Sequence, residues 1–276
     1  MALQALRVIR KMRGGAQAHL MQASDGGYYV VKFRNNPQHR RILVNEVVAS
    51  IFLEYLRIAS APWQIIRLTR EFLDANPDVS IQLGSRRIPV PEGWHFGSAF
   101  PGDPSKLVVY DFLPDALLRK VENLRDYLGM LVFDKWVSNG DARQSVFFRA
   151  RVSDWVHGGA SGERVGFVAL MIDHGYAFDG PNWEFRDAPL QGLYFRPLVY
   201  EPVRSLDDFE PWLSRVRTFP ESLMDEACKR IPEEWLNGDR GALEALLEDL
   251  LRRRKRVASL IEQCRASRGF LFPNWR

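Results

Sequence analysis

The sequence predicts an α+β protein of two lobes, a small β-rich N-terminal lobe over residues 1–113 and a larger α-helical C-terminal lobe over residues 114–276. Three observations carry this. Short apolar runs bounded by Gly, Pro and Asn crowd the first stretch of the chain, Tyr28–Arg34 being the clearest strand. Pro114 stops the last such run, and from Leu117 onward apolar residues recur at helical spacing. Beyond Pro114 a pair of apolar runs delivers aspartates, Asp141 and Asp173, into small polar loops, where side chains leave the core and can meet a ligand. With 276 residues, 46% of them hydrophobic, the chain can bury a core for one two-lobed domain or two small ones.

Taken in order, residues 6–13 and 18–23 read as two strands around RGGAQAH, Arg13–His19. A double glycine lets backbone amides approach an anion because no side chain blocks the path, although a plain hairpin turn is the commoner meaning of Gly-Gly. Lys32 lies in mid-strand on the face of Tyr28 and Val30, either as an edge gatekeeper or as a positioned charge. After the NNPQ turn, Arg40–Leu56 is helical by pattern, with Val44, Val47, Val48, Ile51, Phe52 and Tyr55 on one stripe. Ile42, Ala49 and Leu53 form a second apolar face with Glu46 among them, and a carboxylate there wants a cation. Lys32 is the nearest candidate. A strand lysine held by a glutamate of the next helix is how kinases aim a lysine at the α- and β-phosphates, and a purely structural ion pair is the alternative.

Residues 57–106 hold short strand-like pieces that complete an N-terminal sheet of about five strands, and Leu107–Leu113 reads as its last strand. The lobe boundary is expected near residues 111–115, a connecting segment of the kind where an adenine ring can bond main-chain groups. Residues 119–137 read as one helix that delivers the loop of Asn139, Gly140 and Asp141, followed by a strand to Arg149. The polar stretch Val152–Glu163 is expected to be mobile. Phe167–Ile172 is a strand that ends on Asp173; residues 181–206, aromatic and Pro-rich, are expected to pack near a substrate entrance. From Asp207 onward the chain reads as helical, with a cap at Asn237–Asp239 before Leu243.

Charge and cysteine usage exclude more than they name. The 38 basic and 34 acidic residues are mixed and leave only +4, weak support for direct nucleic-acid binding. The run Arg252–Arg256 follows Glu248 and Asp249, which at i,i+4 spacing can pair with Arg252 and Arg253, so a solvated helix face is expected. The N-terminus is too charged for a signal peptide and no apolar run approaches membrane-spanning length. Two cysteines, Cys228 and Cys264, give no metal spacing and fit a cytoplasmic protein.

Two aspartates at loop edges suit phosphoryl transfer: one carboxylate accepts the proton of the attacking hydroxyl, the other holds the magnesium that bridges phosphate oxygens. Asp-Gly and Asn-Gly turns also carry aspartates that do no chemistry, so the decision depends on what precedes them. Glycine turn, strand lysine, helix glutamate, connector, loop aspartate and strand-end aspartate stand in kinase order. The segments GGAQAH, YVVKF with NNPQ, the Asn45-Glu46 pair, HFGS at His95–Ser98, FDKWVSNGDARQSVFFR and IDHGYAF resemble the HipA-like kinase family, bacterial serine/threonine kinases related to HipA toxins. This resemblance extends over residues 13–178 and fades in the C-terminal helices.

The resemblance implies a protein-kinase-like fold, with ATP and Mg2+ as cofactors. Gly14, Gly15 and Ala16 would cover the ATP phosphates, Lys32 would contact them, and Glu46 would hold Lys32. The backbone at Asp111, Phe112 and Leu113 would meet adenine; Asp141 would be the base toward a protein Ser/Thr hydroxyl, Asn139 would brace the loop, and Asp173 would bind the metal. An antitoxin or other regulatory protein partner is implied as well. Two departures stand out. Kinase catalytic loops place a metal-binding asparagine five residues after the aspartate, where this chain has Val146; Gln144 is the best replacement, and a structural glutamine is the alternative. The glycine turn also holds no Ser or Thr, which removes self-phosphorylation within it. Beside the protein kinase stand a pseudokinase-like nucleotide-binding module and a small-molecule phosphotransferase.

Overall fold

The computed structural model describes residues 3–157 and 163–276. Its N-terminal region is built from β1 (Leu3–Lys11), β2 (His19–Ala23), β3 (Tyr28–Lys32), α1 (Arg41–Leu56), β4 (Trp63–Leu68), α2 (Arg70–Ala75), β5 (Ser80–Leu83), β6 (Arg86–Pro89) and β7 (Gly93–Ala99). Five of these strands close into a barrel in the order β1-β2-β3-β7-β4, shut by a short parallel pairing of Leu3 and Gln4 with Ile66 and Arg67. The remaining two, β5 and β6, form a separate hairpin, and α2 intervenes where only strands were expected, started by the Thr69 hydroxyl accepting from the Phe72 amide at 3.2 Å. Met21, Val31, Phe33, Ile66 and Leu68 fill the barrel, alternating along their strands as the period of two requires.

Helix α1 is covered on nearly every side rather than along one stripe: Val44, Val47, Val48, Ile51 and Phe52 are buried, and so are Asn45 and Glu46. Such a helix belongs inside a core. It shares one apolar cluster with the C-terminal helices, and the Phe52 ring stacks on Trp136 at 5.4 Å between centroids.

The C-terminal region runs α3 (Asp115–Leu118), α4 (Asp126–Val137), β8 (Gln144–Arg151), β9 (Val165–Ile172), α5 (Trp212–Arg217), α6 (Glu221–Arg230), α7 (Glu233–Leu236), α8 (Arg240–Arg253) and α9 (Val257–Ser267). Several expectations change here. Residues 107–113 make no strand; they run extended beside β8 with one isolated bridge, Tyr110 to Phe147. The helix before the loop starts at Asp126, because residues 119–125 are a turn that sends Val121 to bridge Phe167 of β9. Of the stretch 152–163 expected to be mobile, residues 158–162 lie outside the described residues.

At the head of α8, Asp239 makes no side-chain cap; its carboxylate takes Arg41 at 2.8 Å and Arg40 at 3.4 Å. The basic run is not one solvated face either. Arg252 pairs with Asp249, but Arg253 is buried, pairs with Asp187, and donates to the last-turn carbonyls of α4 at Trp136 (2.8 Å) and Lys135 (3.0 Å). Those carbonyls have no partner inside the helix, so a cation beside them is favourable. Among the described residues no helix is long and apolar enough to cross a membrane.

Candidate active site

A cleft of about 620 Å³ opens between the barrel and the β8–β9 hairpin. The barrel contributes the glycine turn and one face of the sheet. Gly14 there has φ +113°, a conformation that costs a glycine nothing and an L side chain a good deal, and Gly14, Gly15 and Ala16 all line the cleft. Register carries the row inward: Arg10 pairs with Leu20, Leu20 with Val30 and Val30 with Ser98, so Arg10, Val30 and Ser98 face the cleft on one line.

Lys32 ends β3 inside this cleft and is 7% exposed. Its ammonium donates to Glu46 Oε1 at 2.5 Å and to Asp173 Oδ1 at 2.7 Å, so a charge that looked anomalous in mid-strand is held by two carboxylates. Burial alone would depress its pKa; the charges of Glu46 and Asp173 outweigh burial and hold it raised. Burial pushes the Glu46 carboxyl up, opposed by Lys32 and by the His174 amide, which donates to Oε1 at 3.1 Å. Asp173 is shifted down, chiefly by the Lys32 charge. It therefore stays ionised at neutral pH, with 38% of its side-chain surface open to the cleft.

Asp173 follows β9 with φ +58°, unusual for a residue with a side chain. The turn after it is tied to α1 by Asn45, whose Nδ2 donates to the carbonyls of Gly175 (2.7 Å), Ala177 (3.0 Å) and Gly180 (2.9 Å) while Oδ1 accepts from Trp183 Nε1 at 2.8 Å. One buried amide thus fixes the path of that turn.

Across the cleft, Asp141 is exposed on the loop that follows α4. Its amide donates to Asn139 Oδ1 at 3.2 Å, its carbonyl accepts from Gly192 at 3.1 Å, and Oδ1 accepts from the Ala142 amide at 2.7 Å. Asn139 is 1% exposed and passes its Nδ2 to Asp134 Oδ1 at 3.0 Å. Gln144 heads β8 opposite Ile172, lines the cleft, and lies 3.5 Å from Asp141 Oδ2. Val146, opposite Leu170 in register, also lines it.

Gly14, Gly15, Ala16, Lys32, Glu46, Asp111, Asp141, Gln144 and Asp173 are thus brought around one cavity. Phe112, Leu113 and Asn139 do not line it. Phe112 is exposed beneath the Arg196 guanidinium, 4.6 Å from its ring, and Leu113 is buried with its carbonyl taken by Arg196 at 3.0 Å. Among the described residues no three His, Cys, Asp or Glu side chains converge as a metal cage. An ionised Asp173 with the Gln144 amide on the same cleft fits magnesium, which takes one or two protein carboxylates and completes its shell with water and substrate phosphates.

Sequence reading missed three features. Asn45 was visible only as the neighbour of Glu46, and its partners lie 130 to 138 residues away. The buried Arg143–Asp134 pair joins a helix interior to a loop, a spacing no helical i,i+4 rule flags. Arg10 and Arg13 line the cleft ahead of the glycine turn, whose backbone amides alone were expected to meet an anion.

The family model for HipA-like kinases matches residues 5–263, well beyond the segment 13–178 in which the motifs are legible. No curated protein matches the chain. Among solved structures it is similar to the Golgi casein kinase, with TM-score 0.50 and 15% identity over 96% of this chain and 74% of that one. A Golgi casein kinase structure with Mn/ADP bound gives TM-score 0.49 and 13% identity over 97% and 74%, and hydra Fam20 with sugar gives 0.48 and 11% over 97% and 86%. At such identities the likeness at 0.50 speaks for a kinase fold alone. The family match leaves out only residues 1–4 and 264–276, and by it this chain belongs to the HipA-like kinase family of phosphotransferases.

Proposed function

We propose that the protein is an ATP-dependent serine/threonine protein kinase of two lobes, with the nucleotide bound in the cleft between them. The observation that carries this is Lys32, held between Glu46 and Asp173 in a 620 Å³ cleft that also presents Asp141. A cavity of that size takes a nucleotide, and the charge order is that of phosphoryl transfer. In this reading the turn amides at Gly14–Ala16 lie over the phosphates, Lys32 contacts the α- and β-phosphates, and main chain near Asp111 meets the base. Asp173, with Gln144 on the same cleft, would hold a magnesium ion, which would supply positive charge to the phosphate oxygens. Asp141 orients the acceptor hydroxyl and takes its proton as the new O–P bond forms and the bond to the β-phosphate oxygen breaks, with ADP leaving. In this reading the protein acts in the cytoplasm on a protein acceptor and has a regulatory protein partner; the free Cys228 and Cys264 fit that compartment.

One observation favours a second reading, a nucleotide-binding module without turnover: the apolar Val146 lines the cleft where the second metal ligand of kinases falls. Incubating the protein with γ-labelled Mg-ATP and lysate of its host separates the two. Label on serine or threonine of a discrete protein supports the kinase, and label on a small molecule overturns its substrate class. ATP-dependent thermal stabilisation with no transfer supports the silent module.

A further inference from the structure

Behind the cleft lies a polar network that the reaction itself does not use. Arg143 is two residues past Asp141, yet its side chain is only 2% exposed, as is fitting for a group whose every arm is occupied. Nε donates to Asp134 Oδ2 at 2.9 Å and Nη2 to Asp134 Oδ1; Nη1 donates to the Ile172 carbonyl at 3.0 Å and faces His174 Nδ1 at 3.1 Å. A guanidinium can only donate, so Nδ1 is the acceptor and the His174 proton sits on Nε2.

The partners are the telling feature. Ile172 and His174 are the two neighbours of Asp173, so Arg143 grips the chain on both sides of that carboxylate. Asp134 on α4 holds Asn139, and Asn139 accepts the amide of Asp141. Gly192 is pressed against the same aspartate: at φ +72°, a Cβ placed on it would come 2.2 Å from the Asp134 Cβ, and its own amide donates to the Asp141 carbonyl. A buried ion pair is poor evidence of stability, since apolar residues of equal volume often serve as well. A rigid fork that ties two loops to one helix is a different matter. Asp173 at φ +58° persists only if its surroundings over-determine it.

We propose that Arg143, braced by Asp134 and His174, is a positioning residue that fixes the separation of the Asp141 and Asp173 carboxylates. The proposal rests on the phosphotransferase reading above and specifies how its two acidic groups are held in register. Lysine cannot replace the arginine, because one ammonium on a flexible stem does not span Asp134, Ile172 and His174 at once.

The test compares wild type with Arg143→Lys, His174→Leu and His174→Gln in three measurements: thermal melting, kcat and KM for ATP, and Mn2+ affinity in the presence of ADP. Displacing a reacting group by about 1 Å costs about 100-fold in rate, so folded Arg143→Lys should lose kcat on that scale. Its KM for ATP should hold while Mn2+ binds more weakly. His174→Leu should move kcat and Mn2+ affinity in the same direction, and His174→Gln, which restores an acceptor oxygen, should recover most of both. Wild-type kcat and Mn2+ affinity in folded Arg143→Lys would overturn the proposal, as would a His174→Gln no better than His174→Leu. If Arg143→Lys does not fold, the His174 pair decides. Absence of phosphate transfer by wild type would refute the kinase reading, while Mn2+ affinities in the presence of ADP across the series still decide the role of Arg143. Absence of Mn2+ binding with ADP in wild type would refute both.

Discussion

Replacing Glu46 by alanine should destabilise the protein strongly. Glu46 is 2% exposed and accepts from the Lys32 ammonium at 2.5 Å and from the His174 amide at 3.1 Å. Removing one partner of a buried ion pair costs about 3–5 kcal/mol. Lys32 keeps Asp173 at 2.7 Å, so its charge is not left alone, and the lower end, about 3 kcal/mol, applies. For a chain of this size about 1 kcal/mol moves Tm by roughly 2–4 °C, so a fall of about 6–12 °C is expected. Differential scanning calorimetry at pH 7 without nucleotide reads it directly. The sign follows from the raised Lys32 pKa: the ammonium's contribution is complete below its ordinary value and is lost only as strongly alkaline pH approaches the folded value. The deficit of Glu46→Ala should therefore be flat between pH 7 and 9. A double variant, Lys32→Met with Glu46→Gln, removes both charges and keeps an oxygen for the His174 amide, so it should melt closer to wild type. Glu46→Ala melting within about 2 °C of wild type would refute a buried pair of this strength.

Three further outcomes follow from the same geometry. Asp173 is held below its ordinary value by Lys32, so the stability from that contact is present above about pH 4 and is lost as pH falls through the folded value; the stability difference between wild type and Asp173→Asn, read by urea unfolding from pH 7 down to 5, should stay constant, and a steep change in that window would contradict the shift. Asn45→Ala leaves three loop carbonyls and the Trp183 indole without their partner; about 1–3 kcal/mol should disappear in urea unfolding for a buried group left unsatisfied, with faster hydrogen exchange over residues 175–183. Gly192→Ala sets a methyl against Asp134 at a positive φ, so it should destabilise by about 1–3 kcal/mol in the same assay and lower phosphate transfer as well.

Much of the β-rich region was legible because its signals are local. Tyr28–Lys32 announced itself by composition, the glycine turn by its doublet, and the pairing of Lys32 with Glu46 by the discomfort of a carboxylate on an apolar helix face. Elements whose shape is set by distant partners were read less well. Residues 107–113 are apolar enough for a strand, yet only Tyr110 finds a bridge, to Phe147 on the free edge of β8. The helix before the loop starts later than its pattern predicts, since Val121 looks periodic with Leu124 and Leu128 but is drawn out to β9. Arg253 looked like one more member of a solvated cationic face; it serves as the cation at the end of α4, a role visible only once α8 is packed there. In the site, Lys32, Glu46, Asp141 and Asp173 could be named from residue type and order. Asn45, Asp134, Arg143 and His174 could not, because their partners lie at separations that neither helical nor strand spacing marks.

The most direct measurement is the rate of γ-phosphate transfer from Mg-ATP to the acceptor found in lysate, wild type against Asp141→Asn, with Tm and ATP affinity measured on both. Asp141 is exposed, and asparagine can still accept the Ala142 amide, so folding and ATP binding should be unchanged. Losing a general base should lower kcat by about 10²–10⁴-fold, roughly 3–5 kcal/mol of barrier. Equal rates for the two proteins would contradict the assignment of Asp141, and with it the catalytic arrangement of the cleft.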